Sequence, residues 1–355
     1  MRDGHVTGAV EGGHVPSGAR NSLIPAEALS VVGQQKSLGQ GRVVEQEFQR
    51  WAAAVGDRNR LYSDAEYALE MGYRGVIAPP LYTQWVLAGV RDLETLNPDG
   101  SGPMSGDGIV LPECPRRVAG GEAWLFRDVL YDGDVIRGES GVTGIIEKEG
   151  RSGRFVVIST LTSFLRERDG LVVAECARSV IARPAAAGTP VTDTAPITDT
   201  APVVDRPKRA RPNGSGTSKQ LYFDDVCIGM EIPSLIVAIS PIQMFYFSAT
   251  SYIGHRIHYD KPWATSVEGY PDIVVQGPLQ AALMARALAD WYGGRGRLVN
   301  FQIQNRGIAF QGDELQFSAR VTGKRDEGGA SLVDLEIQAG NGAGDVLMPG
   351  IATIT

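Results

Sequence analysis

The feature that most constrains this chain is that it repeats itself. Arg127-Asp128-Val129-Leu130-Tyr131-Asp132-Gly133-Asp134, which leads to Val142-Thr143-Gly144, returns as Arg306-Gly307-Ile308-Ala309-Phe310-Gln311-Gly312-Asp313, leading to Val321-Thr322-Gly323 at the same offset. Upstream, Leu61-Tyr62-Ser63-Asp64 faces Ile257-His258-Tyr259-Asp260, and Gly72-Tyr73-Arg74-Gly75-Val76-Ile77 faces Gly269-Tyr270-Pro271-Asp272-Ile273-Val274. A repeat this long is a duplicated domain rather than a solenoid unit. The chain is therefore expected to fold as two copies of one architecture packed as an internal pseudo-dimer, with a homodimer left open beyond it. Residues 185–218 separate the copies. There Pro190, Pro196 and Pro202 each open a Thr/Asp/Ala-rich stretch that has nothing to bury. Gly and polar residues mark 1–35 as a disordered tail, which leaves domains at 36–184 and 219–355.

Within the second copy, a helix is expected over about 278–292. Leu279, Ala282, Leu283 and Ala287 form an apolar stripe of helical period, Pro278 stands in the first turn, and Gly293-Gly294 follow the end. Strands are expected over 298–304, 314–322, 331–339 and 345–354, divided by turns such as Gly328-Gly329 and Gly340-Asn341-Gly342. The first copy is expected to match, with a short helix, a loop, a longer helix and strands over 135–144, 154–165 and 171–181. The fold class is α+β: a long helix wrapped by an antiparallel sheet, twice over, which is the double hot-dog arrangement.

Composition removes several function classes. A net charge of -7 argues against nucleic acid or an anionic membrane as partner, and the basic cluster Lys208-Arg209-Ala210-Arg211 lies in the linker. No apolar stretch approaches the roughly eighteen residues that span a bilayer, and no signal-peptide core opens the chain, so a cytoplasmic location is expected. Cys114, Cys176 and Cys227 lack pair spacing and read as reduced thiols. Neither a dinucleotide-binding glycine fingerprint nor a phosphate loop is present, and no cofactor is expected.

Of 4 histidines, His5 and His14 fall in the tail, leaving His255 and His258 within Gly254-His255-Arg256-Ile257-His258-Tyr259-Asp260. Imidazole is the side chain best suited to proton transfer near neutral pH. With no further cysteine or histidine to complete a ligand set, this heptapeptide reads as an acid-base site and not as a metal centre. Trp263 and Tyr270 nearby read as packing residues.

Gly56-Asp57-Arg58-Asn59-Arg60-Leu61-Tyr62-Ser63-Asp64 resembles the Asp-x-Asn-Pro-x-His motif of MaoC-like dehydratases, the (R)-specific enoyl thioester hydratase family, and Gly75 to Pro80 continues the likeness. His255 to Asp260, with Val275-Gln276-Gly277-Pro278-Leu279, resembles the C-terminal domain of the fused double hot-dog form. The resemblance implies reversible addition of water to a 2-enoyl thioester carried on coenzyme A or an acyl carrier protein, in a setting such as polyketide metabolism. It implies an Asp and a His sharing the proton transfers, with a backbone N–H at the start of the central helix holding the thioester oxygen. Carried onto this chain, those roles fall to His258 as principal acid-base residue, His255 as its partner and Gly277 as oxyanion donor, with Gln276, Tyr259, Asp260 and Arg256 lining the substrate.

The chain departs from the pattern in both copies. The first keeps Asp57 and Asn59 but has Tyr62 in place of the histidine, and the second keeps His258 but has Ile253 in place of the acid. Two repairs are available: His255, aligned with Asn59, supplies the second polar group, or Asp57 reaches across from the other half. The first is preferred. The lost acid also admits an isomerase or cyclase acting on a polyketide-like intermediate, which needs only a base and an oxyanion hole, or a catalytically inactive module that binds thioesters or carrier proteins.

Overall fold

The computed structural model describes residues 22–89, 92–102, 109–150, 153–184 and 221–355, so the expected linker and residues 1–21 of the expected tail lie outside the described residues. The inner end of that tail is a correction. Helix α1 (Ala26–Leu29) and strand β1 (Gln35–Arg42) follow residue 22. Ala28 is buried with Ile109, Leu111 and Cys114, and Leu23, Ile24 and Val31 pack against the same cluster, an apolar content that outweighs the polar residues around it.

The first half continues with α2 (Glu45–Val55), a 3-10 turn at Arg60–Tyr62, α3 (Ala65–Glu70) and a 3-10 segment at Pro80–Leu87. Strands β2 (Arg116–Phe126), β3 (Val135–Gly150), β4 (Gly153–Arg166) and β5 (Val172–Arg183) complete it. The second half holds β6 (Leu235–Ala238), α4 (Pro241–Ser251), a 3-10 turn at Arg256–His258 and a π-helical turn at Trp263–Val267. Helix α5 (Gly277–Tyr292) follows, then β7 (Leu298–Gln304), β8 (Glu314–Glu327), β9 (Ala330–Asn341) and β10 (Val346–Ile354). The 10 strands form one sheet in the order β1-β3-β4-β5-β2-β7-β10-β9-β8-β6. Each half contributes five, and the order reads the same from either edge once β1–β5 are matched to β6–β10. The halves meet where β2 pairs antiparallel with β7.

The repeated motif of the sequence is a repeated turn. Asp134 accepts from the N–H of Tyr131 at 3.0 Å, and Asp313 accepts from the N–H of Phe310 at 2.8 Å. Gly133 and Gly312 take φ of 80° and 91°, a left-handed conformation that favours glycine. The upstream match is equally literal. Ile77 N–H donates to Leu61 O at 2.9 Å, and Val274 N–H donates to Ile257 O at 2.9 Å.

Helix α5 is wrapped as expected, with Leu279, Ala282, Leu283 and Ala287 all buried. Its counterpart in the first half is the second correction, because Pro80–Leu87 is a 3-10 segment and no long helix follows it among the described residues. The sequences differ in helix propensity. Ala281, Ala282, Ala285, Ala287 and Ala289 propagate α5, whereas the first half has bulky or β-branched Tyr82, Thr83, Trp85 and Val86, followed by Gly89. One core nevertheless runs through both halves: Trp51 of α2 lies against Phe247 of α4 at 5.9 Å between ring centroids, and its Nε1 donates to Ser251 Oγ at 3.1 Å. Among the described residues, no helix is long and apolar enough to cross a membrane.

Candidate active site

The turn that carries the two histidines follows α4. His258 ends it, and its Nδ1 lies 2.8 Å from the carbonyl oxygen of Val274. A carbonyl can only accept, so Nδ1 carries the proton and Nε2 keeps the lone pair. Burial pushes the pKa of His258 down to about 4, with the Val274 carbonyl opposing the fall and the neighbouring His255 adding to it. The imidazole is therefore neutral at physiological pH, the state required of a base. His255 stands edge-on to it, 5.6 Å between ring centroids and 87° between planes. Ile253, where the acid was expected, is partly buried against the core and carries no proton.

Helix α5 starts at Gly277, and Gln276 before it provides no side-chain cap. A Cβ on Gly277 would meet only Asn305 Oδ1, at 3.7 Å, so packing does not demand glycine there. The uncapped first turn leaves N–H groups and the positive end of the helix dipole available to an oxygen. Gln276, expected to line the substrate, also has a structural role. Fully buried, it donates from Nε2 to Met244 O at 2.9 Å and Ser248 Oγ at 2.8 Å, which pins α5 to α4.

Arg256 and Asp260, also expected to line the substrate, pair with each other. Arg256 donates to Asp260 Oδ2 from Nε at 2.9 Å and from Nη2 at 2.6 Å, donates to Pro98 O from Nη1, and lies 3.8 Å over the Trp263 ring. The first half has the same clip: Arg60 donates to Asp64 Oδ2 at 3.0 and 2.6 Å and lies 4.2 Å over Tyr67. The clip is thus shared by the half with histidines and the half without them, and it holds the Arg256 fork against Asp260. Tyr259 is exposed, with its hydroxyl donating to Gly254 O at 3.2 Å. Trp263 and Tyr270 pack with Ile257, Ala264 and Val274, as expected.

In the first half, Asp57 accepts from the N–H of Asn59 at 3.0 Å, and Asn59 Oδ1 accepts from the N–H of Leu61 at 3.1 Å. Burial raises the pKa of Asp57 to about 7, with the Asn59 N–H opposing; Asp290 adds to the rise and Arg286 opposes it. Both of those residues lie in the C-terminal half of α5, whose rise places them roughly 14 to 20 Å from its start at Gly277. Asp57 therefore cannot complete a dyad with His258, and the second repair fails. Tyr62 is buried, and the space around Asn59, Tyr62, Tyr73 and Tyr292 amounts to about 30 Å³, roughly one water. A far larger cleft, about 1030 Å³, runs between α2 and α4 past Trp85, Tyr246 and Tyr252, and neither histidine lines it.

Two acids near the histidines escape a reading of the sequence. Asp99 Oδ2 lies 3.6 Å from His255 Nε2, and Glu268 has a carboxylate oxygen within 4.8 Å of both. One imidazole and two carboxylates can in principle hold a cation, but nothing further marks the cluster as a metal centre. Asp99 sits well over a hundred residues before the histidines, in a connection without periodicity, so no local signal reveals it.

Comparison with known proteins agrees with this fold. Residues 231–311 match the model of hydroxyacyl-thioester dehydratase type 2, and residues 30–175 match the FAS1-like dehydratase domain region. The chain is 29% identical over 265 residues to mesaconyl-C(4)-CoA hydratase of Chloroflexus aurantiacus, covering 75% of this chain and 80% of that protein. A solved MaoC-like dehydratase superposes with a TM-score of 0.71 at 19% identity, covering 92% of this chain and 99% of the other. A conserved Mycobacterium tuberculosis protein described as a double hot-dog fold superposes with a TM-score of 0.59 at 13% identity, covering 91% of this chain and 96% of the other. Fold and site thus define a double hot-dog protein. Each half matches a dehydratase-domain model, and the chain as a whole is similar in fold to MaoC-like dehydratases.

Proposed function

We propose that this protein is a hydro-lyase that removes water from a 3-hydroxyacyl thioester, or adds it to a 2-enoyl thioester, carried on coenzyme A. The observation that carries the reading is the His258 imidazole, kept neutral and oriented by Val274 O so that Nε2 is a lone-pair base beside a second histidine. In the dehydrating direction, Nε2 takes the α proton and the C2–C3 double bond forms as the C3–O bond breaks. The hydroxyl leaves as water with a proton delivered through the His255–His258 pair. Charge that gathers on the thioester oxygen meets the Gly277 N–H at the start of α5. The two halves act as an internal pseudo-dimer in which the second does the chemistry and the first supports it, in the cytoplasm.

The relative of this chain, by its name, hydrates a mesaconyl thioester, which makes short enoyl thioesters the first probes. Purified protein is expected to consume crotonyl-CoA or mesaconyl-type CoA thioesters, seen as loss of enoyl absorbance, with the carrier-protein thioester as a second carrier to compare. If neither carrier's thioester is hydrated, the hydratase reading is wrong. Ile253 favours one alternative, an isomerase or cyclase that needs only enolisation. Exchange of the α hydrogen with deuterated solvent, without hydration, would select that alternative, and binding without exchange would mean an inactive module.

A further inference from the structure

We infer that Asp99, which the first half contributes, is the positioning residue for His255 and replaces the acid that the second-half motif lacks at Ile253. The inference rests on the reading of His255 and His258 as the acid-base pair.

The connection ahead of β2 folds into a closed turn that presents this carboxylate. Asn97 N–H donates to Ser101 O at 2.9 Å, Gly100 N–H donates to Asn97 O at 2.8 Å, and the Asn97 amide donates to Ser101 Oγ at 3.0 Å. Within the turn, Asp99 Oδ1 is occupied by the Ser101 N–H at 2.8 Å and its hydroxyl at 2.6 Å. The other oxygen, Oδ2, is the one that faces His255 Nε2 at 3.6 Å.

Two glycines let this turn reach the histidine. Gly100 has φ of 76°, and a Cβ there would lie 2.1 Å from Gly254 O, while a Cβ on Gly254 would lie 2.8 Å from Gly100 O. No larger residue fits at either position without parting the backbones. Arg256 fastens the contact, its N–H donating to Asp99 O at 2.7 Å and its Nη1 to Pro98 O at 3.2 Å. The equivalent turn in the first half needs no such visitor, because Asn59 caps it with its own side chain. His255 makes no cap, and its Nε2 has no hydrogen-bond partner.

An imidazole beside a carboxylate is held in one tautomer and one orientation. Asp99 thus fixes the proton of His255 on Nε2 and leaves Nδ1 as the acceptor. A separation of 3.6 Å tightens to a hydrogen bond by a small ring rotation, as pairs in unliganded sites do when substrate arrives.

The test compares wild type with Asp99→Asn, Asp99→Glu and Glu268→Gln, using crotonyl-CoA kinetics together with 15N NMR of histidine-labelled protein. Asp99→Asn is expected to lower kcat by about 10- to 100-fold, the usual effect of losing a histidine's orienting partner, with KM and Tm nearly unchanged. Its His255 Nε2 signal should move from the protonated position toward a tautomer mixture, and Asp99→Glu should restore part of both. An unchanged tautomer in Asp99→Asn, or a larger effect of Glu268→Gln, overturns the assignment. Loss of Tm in step with kcat would also overturn it, reducing the turn to scaffold. If wild type hydrates nothing, the hydratase reading fails by itself, and the NMR comparison still decides whether Asp99 positions His255.

Discussion

The turns at 57–64 and 253–260 share a backbone and differ in chemical content. Both end in an Arg–Asp clip beside an aromatic ring, and both hand a carbonyl to the segment that returns past them. In the first, Asp57 and Tyr62 are both buried, and the space beside Tyr62 has room for about one water. In the second, a neutral imidazole stands where Tyr62 stands, with a second imidazole and a carboxylate from the other half beside it. The two copies share the scaffold and differ in their titratable groups, with the acid Asp57 in one and the histidines in the other. The long helix followed the histidine, since α5 is intact where His258 is and reduced to a 3-10 segment where it is absent.

The largest effect expected from this contrast is kinetic. His258→Ala should lower kcat by about 10³-fold, within the range that a positioned general base supplies, whereas Tyr62→Phe should leave turnover within about twofold. Similar losses in both variants would erase the distinction between the halves. The activity of wild type should also persist into acid, with kcat/KM falling only as His258 protonates near pH 4.

Stability should separate the halves by sign. Asp57 ionises near 3.8 in the unfolded chain and near 7 in the folded one, so the folded state holds the extra proton and loses stability as pH rises through that window. His258 ionises near 6.5 unfolded and about 4 folded, so its contribution is lost as pH falls from 6.5 toward 4. In urea denaturation, Asp57→Asn should gain up to a few kcal/mol over wild type at pH 8, since each tenfold change in proton affinity is worth about 1.4 kcal/mol, and much less at pH 4. His258→Ala should flatten the acid side instead. Parallel curves for wild type and Asp57→Asn would mean that Asp57 is not held protonated.

Two smaller effects sharpen the comparison. Gly277→Ala should keep or raise Tm, because the added methyl meets only Asn305 and alanine favours helix. It should nevertheless slow turnover roughly tenfold by crowding the thioester oxygen, less than outright loss of a donor would. Unchanged kinetics would remove Gly277 from the site. Arg60→Ala, which opens the clip of the first half only, should leave Tm nearly unchanged, since exposed ion pairs contribute little, and leave kcat alone. Arg256→Ala should cost more, because it also releases the Pro98 carbonyl and with it one fastening of the Asp99 turn.

The sequence alone determined the duplication, the class of fold, helix α5, seven of the strands and the turn that carries both histidines. These are legible because period, glycine placement and repeated dipeptides act over a few neighbouring residues. It also named Arg256, Asp260 and Gln276 as polar residues near the histidines, but spacing places a polar side chain on a segment without saying what it bonds to. Only the tertiary structure decided that Gln276 ties two helices together, that the first half lacks its long helix, and that Asp57 belongs to the far end of α5. The same holds for Asp99. Its meeting with His255 depends on two backbones touching at Gly100 and Gly254, and a contact between residues so distant in the chain is fixed by packing that no local pattern encodes.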